Sequence, residues 1–101
     1  MNEEEQESMT NQISNFSFIA SPEAAASFHD DGVVIFHTGN GCLFSSNKTG
    51  AQIWRGVEQQ LSVDAIAQQF SGEYQIELTT ARTHTSGFLA ELQRHALVSR
   101  K

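Results

Sequence analysis

Gly41-Cys-Leu-Phe-Ser-Ser-Asn-Lys-Thr-Gly-Ala-Gln-Ile-Trp54 (GCLFSSNKTGAQIW) changes its hydrophobic period halfway along. Cys42 to Ser46 is a short β-prone run that follows an Asn40-Gly41 pair, a dipeptide suited to a hairpin turn. Beyond it, Ile53, Trp54, Val57 and Leu61 recur at the spacing of one helical face. Asn47, between the two, has the short polar side chain of a helix N-cap. A strand therefore runs directly into a helix, and the rest of the chain is read outward from this junction.

Upstream, Val33 to His37 (VVIFH) is strongly β-prone and is bounded by turns at Asp30-Asp31-Gly32 and Thr38–Gly41. Residues 24–29 are rich in alanine, so propensity alone admits a helix. Their place ahead of a tight turn and a β-run makes a hairpin the better reading. Three strands, over 24–29, 33–37 and 42–46, then form an antiparallel meander. Its third strand lies at an edge unless the first curls round to cover it. Phe16, Phe18 and Ile19 make an apolar patch ending at Ser21-Pro22, either a short strand or a cover for apolar surface. Residues 1–15 are polar, acidic and poor in large apolar side chains, which predicts a disordered acidic tail before a domain spanning 16–101.

Downstream, Leu61-Ser62 interrupts the helical pattern, and Ser62 can cap a second helix with the apolar face Val63, Ile66, Ala67 and Phe70. Ser71-Gly72 is read as its end, with Tyr74 and Ile76 as inward-pointing loop residues. A third helix is predicted from Leu78 to about His95, with Ala81, Thr85, Phe88, Leu89 and Leu92 as its buried stripe. Leu97 and Val98 close the core. Strands come first and helices after, an α+β arrangement.

Composition narrows the function. The net charge of −6 owes much to Glu3, Glu4, Glu5 and Glu7; from Phe16 onward there are eight acids and six bases. Such a balance lacks the basic face of a nucleic-acid binder. The single cysteine, Cys42, rules out an internal disulfide and reads as a structural or exposed strand residue, with no helix N-terminus or clustered base to activate it and with His37 lying across a turn. The histidines at 29, 37, 84 and 95 show no metal-ligand spacing, so neither metal nor cofactor is expected. No nucleophile, base and oxyanion donor come together, so the chain reads as non-enzymatic. With neither a signal peptide nor an apolar run approaching the ~18 residues of a membrane span, it reads as cytoplasmic. On the same ground, the glycosylation-like triplets at Asn15 and Asn47 are chance matches.

The edge strand carries the functional reading. Unpaired amides and carbonyls at a sheet edge can accept an extended peptide as an added strand. Alternation of side chains means that one of Leu43 and Phe44 faces the helices and the other is exposed. Phe88 and Leu89 are adjacent on the third helix and cannot both point at the core; Phe88 is read as core.

The order and spacing of these pieces resemble the PqqD-like family, the RiPP recognition elements. The run DDGVVIFHTGNGCLFSSNKTGAQIW carries Leu-Phe-x-x-Asn-x-x-Gly-x-x-Ile-Trp over Leu43–Trp54. LSVDAIAQQF, GEYQIE and FLAELQRHALV follow, the last containing Phe-Leu-x-x-Leu over Phe88–Leu92. The resemblance covers about residues 21–99 and implies a winged-helix-like domain of three antiparallel strands and three helices. It implies a non-catalytic peptide chaperone or adaptor that binds the leader region of a ribosomally synthesised precursor peptide against the third strand. The adaptor would present that peptide to a modifying enzyme or a leader protease. The compact form is most similar to leader-binding proteins of lasso-peptide clusters, more than to partners of a radical enzyme.

Carried onto this chain, the peptide contacts expected are Cys42, Leu43, Phe44, Ser45, Ser46 and Asn47 on the strand and Arg82, Thr85, Ser86 and Leu89 on the third helix. Arg82 would meet an acidic leader residue, or else be a solvated arginine. Many relatives carry an acidic residue on the third helix where this chain has His84 and Thr85, and the helix is polar early on. Two other outcomes stay open: a winged-helix DNA-binding regulator, although Arg82, His84, Arg94 and His95 form no dense basic face, and a homodimer joined through the edge strand.

Overall fold

The structure, a computed structural model, describes residues 17–101. The disordered acidic tail expected over 1–15 lies outside the described residues, as does Phe16. The chain runs β1 (Phe18–Ala20), β2 (Ala24–His29), β3 (Gly32–His37), β4 (Leu43–Ser46), α1 (Lys48–Glu58), α2 (Val63–Tyr74), α3 (Leu78–Arg94) and β5 (Val98–Arg100).

β2, β3 and β4 form the antiparallel meander read from the sequence, with β3 central and β4 at an edge. β2 is a strand despite its alanines, because pairing from Ala24↔His37 to His29↔Gly32 overrides local helix propensity. Gly32 is required at this hairpin: a Cβ there would sit 1.9 Å from the Ser46 carbonyl oxygen. A second, two-stranded sheet was not anticipated. β1 pairs antiparallel with β5, in the register Ile19↔Ser99, so the apolar patch near the N-terminus is a strand that ties down the C-terminal end.

The helices start as their capping residues dictate. The Asn47 side chain accepts from the Gly50 N–H, and the Ser62 hydroxyl accepts from the Ala65 N–H, each at 3.1 Å. Their ends share a device. Gln60, Gln75 and Ala96 each take a left-handed conformation (φ +62, +56 and +62). The next residue in each case, Leu61, Ile76 or Leu97, donates its N–H back to Gly56, Ser71 or Leu92. α2 accordingly runs through Ser71-Gly72 to Tyr74, beyond the end expected from Gly72. Tyr74 is helical and exposed, while Ile76 packs against Phe70 and Ala81.

The core lies between the sheet and α1–α3. Val33 and Ile35 of β3 meet Ile53, Trp54 and Val57 of α1, with Ile66, Leu89, Leu92 and Leu97 completing it. Trp54 is buried, and its indole N–H donates to Glu58 Oε2 at 2.9 Å. Thr85 is fully buried on α3, and its Oγ1 is the one enclosed side-chain polar atom without a hydrogen-bond partner among the described residues. A buried hydroxyl with no partner opposes folding by about 1–3 kcal/mol. Thr85→Val is therefore expected to raise stability by about 1 kcal/mol, read from the urea midpoint at unchanged m-value.

Candidate functional site

The ladder between β3 and β4 fixes which atoms of the edge are available. His37 donates its N–H to the Cys42 carbonyl at 2.8 Å, and the pairing continues through Ile35↔Phe44 and Val33↔Ser46. An antiparallel pair exchanges hydrogen bonds at every second residue, so Phe44 and Ser46 direct their backbone groups to β3, as does the Cys42 carbonyl, while the Cys42 N–H donates to Asn40 Oδ1. Leu43 and Ser45 direct theirs to the open side. The side chains alternate in the same way. Phe44 and Ser46 lean toward the helices, whereas Leu43 is 65% exposed on the other face. Of the pair Leu43 and Phe44, then, Phe44 is the inward one.

Beside this edge lies a trough of about 460 Å³. Ser46, Asn47 and Thr49 form its strand side, Ile53 and Phe88 its apolar part, and Thr83, His84, Gly87 and Glu91 its wall on α3. Phe44 and Phe88 meet edge to face, with ring centroids 5.7 Å apart, and join strand to helix. Gly50 lets α1 start close beneath them, since a Cβ at that position would lie 2.1 Å from Ser46 Oγ and 2.9 Å from Phe88 Cε1. Gly87 has open space where a side chain would be, so no side chain narrows the trough there. A second hollow, of about 370 Å³, flanks the far end of β4 and is bounded by His29, Asp31, Ser45, Ser46 and Asn47 among others.

The expected contact residues divide by element. Ser46 and Asn47 line the trough, Leu43 and Ser45 supply the open backbone, and Phe44 and Cys42 are half-buried on the helix-facing side. The choices on α3 need correction. Thr85 and Leu89 are buried, at 0% and 1% exposure, and belong to the core. Arg82 turns toward α2 and pairs with Asp64 at 2.8 Å. Ser86 is exposed but does not line the trough. The helix presents Thr83, His84, Gly87, Phe88 and Glu91 instead, one step round from the residues chosen. Phe88 is thus a trough residue, half-buried, and not part of the buried stripe.

Arg82 is neutralised by Asp64, and Arg94 pairs with Glu91. Among the described residues, no helix is long and apolar enough to cross a membrane, and no cluster of histidine, cysteine and carboxylate side chains could hold a metal ion.

Comparison with known proteins gives a consistent picture. Residues 32–98 match the family profile described as Coenzyme PQQ synthesis protein D (PqqD). The fold is similar to that of TbiB1 in complex with the TbiA(beta) leader peptide. The TM-score is 0.76 at 25% identity, over 80% of this chain and 94% of that one. It is also similar to a lasso peptide synthetase B1 complexed with the leader peptide, with a TM-score of 0.74 at 24% identity, over 82% and 98% of the two chains. The second likeness concerns the fold alone. None of the curated proteins compared with the sequence matches it.

Proposed function

This chain belongs to the PqqD family, and on that premise we propose that it is a non-catalytic adaptor for the leader region of a ribosomally synthesised precursor peptide. The observation that carries the reading is the open edge of β4, with the backbone groups of Leu43 and Ser45 turned outward beside a trough walled by α3. A guest strand would pair with those two residues and send alternate side chains over Phe88 and Gly87. TbiB1, similar in fold along most of this chain, is a protein seen with a leader peptide, which supports the same use of the domain here.

The adaptor's partner would be a peptide-modifying enzyme or a leader protease. Neither edge nor trough needs high affinity for this task. Holding the leader raises the effective concentration of the linked peptide near a second site to about the millimolar range.

The test is an amide-resolved NMR titration with the leader peptide encoded beside this gene. Expected are shifts concentrated in Leu43–Asn47 and in Thr83–Glu91 of α3. A folded spectrum that stays unchanged at millimolar peptide would sink the proposal. Sizing of the free protein separates this from self-pairing through β4, which would give a dimer that the leader dissociates.

A further inference from the structure

Cys42 does not stand alone in the fold. Its Sγ lies 3.6 Å from His95 Nδ1, a residue 53 positions away in sequence. The other ring nitrogen, Nε2, lies 3.7 Å from Glu91 Oε1. Phe44 packs on the imidazole with centroids 5.3 Å apart, which limits how far the ring can swing. The residue just before β4 supplies the thiol, the last turn of α3 and the residue that caps it supply the other two groups, and Phe44 packs on the imidazole between them. A sulfur nucleophile with a nitrogen base beside it is the pairing that activates a thiol for attack, and the Glu91 carboxylate, whose other oxygen is held by Arg94, lies near enough to the far nitrogen to orient the ring. Reagents can reach it, because Cys42 is half-buried and the His95 side chain is 41% exposed.

We propose that Cys42 is a thiol-exchange site, and that an adduct on it closes the trough beside β4. The chemistry stands by itself; the consequence for leader docking rests on the function proposed above. With its own proton on Nε2, facing Glu91, His95 accepts the thiol proton at Nδ1 as the sulfur attacks a low-molecular-weight disulfide, RSSR. The S–S bond of RSSR breaks, a Cys42–S–S–R bond forms, and the departing RS⁻ leaves as RSH after taking the proton from His95. Cys42 is oxidised and one sulfur of the small disulfide is reduced, so no other oxidant is needed. The side chain at 42 shares the helix-facing side of β4 with Phe44 and Ser46. Glu91, which faces His95, also lines the trough, so R on Cys42 sits at the Glu91 end of the space that a guest strand's side chains would enter.

The experiment uses the full chain and oxidised glutathione, with adduct formation followed by intact mass. The folded protein is expected to react about a hundredfold faster than the same chain unfolded in guanidinium, the low end of what a positioned base contributes. His95→Gln should remove most of that advantage and Glu91→Gln part of it. Equal rates for folded and unfolded chains overturn the proposal, as does an undiminished rate in folded His95→Gln. On the adduct, amide shifts are expected at Phe44, Phe88 and Glu91; shifts confined to residues 38–41 overturn the closure of the trough. Leader titrations then compare free and modified protein. If neither binds, the docking function fails, while the rate and the position of the adduct still decide the thiol site.

Discussion

Ser45→Pro is expected to weaken leader binding by about ten- to hundredfold while the domain stays folded. The Ser45 N–H faces the open side of β4, because the ladder to β3 is made by Cys42, Phe44 and Ser46. Proline removes a donor that the free protein does not use, and an edge strand tolerates it. The residue before it, Phe44, is already extended, as a pre-proline residue prefers. In the complex, the guest carbonyl opposite Ser45 would be left unpaired, at about 1–3 kcal/mol. Each 1.4 kcal/mol is about tenfold in Kd. Ser46→Pro is the control, since the amide of Ser46 serves the pair Val33↔Ser46 and its loss should lower the melting temperature. Calorimetric titration and thermal denaturation of both variants check the argument. Wild-type affinity in a folded Ser45→Pro protein would mean that no strand is added at β4.

That prediction rests on a register which the sequence made largely legible. The turns at Asp30-Asp31-Gly32 and Asn40-Gly41 set the hairpins, and the change of period at Asn47 located the strand-to-helix junction. Side-chain alternation then separated Leu43 from Phe44. The helix ends were harder. Gln60, Gln75 and Ala96 occupy left-handed positions where glycine is commonest, so Gly72 drew the end of α2 too early. A usable signal was present: each of these residues is followed by an apolar one, Leu61, Ile76 or Leu97, which tucks back under its own helix. Contacts between distant residues left no local trace. The β1–β5 pairing and the approach of Cys42 to His95 depend on how whole elements pack.

The phase of α3 is the case with functional weight, and two adjacent residues test it. Leu89→Ala is expected to cost about 3 kcal/mol of stability, because Leu89 is 1% exposed and its removal leaves a cavity in the main core. A domain of this size has only about 5–10 kcal/mol in total, so the melting temperature should fall markedly. Phe88→Ala removes a half-buried ring that packs edge to face on Phe44 beside the trough, so its stability cost should be smaller. Its effect on leader affinity should be larger, about 2 kcal/mol or roughly thirtyfold, as for an aromatic anchor at the centre of an interface. Denaturant titration and calorimetry of the two variants give a crossed pattern if α3 turns Phe88 to the trough and Leu89 to the core. The reading from the sequence, with Phe88 in the core and Leu89 among the peptide contacts, predicts the reverse: Phe88→Ala mainly destabilised and Leu89→Ala mainly weakened in binding. The helix turns about 100° per residue, so a one-residue step decides between holding the fold and holding a peptide.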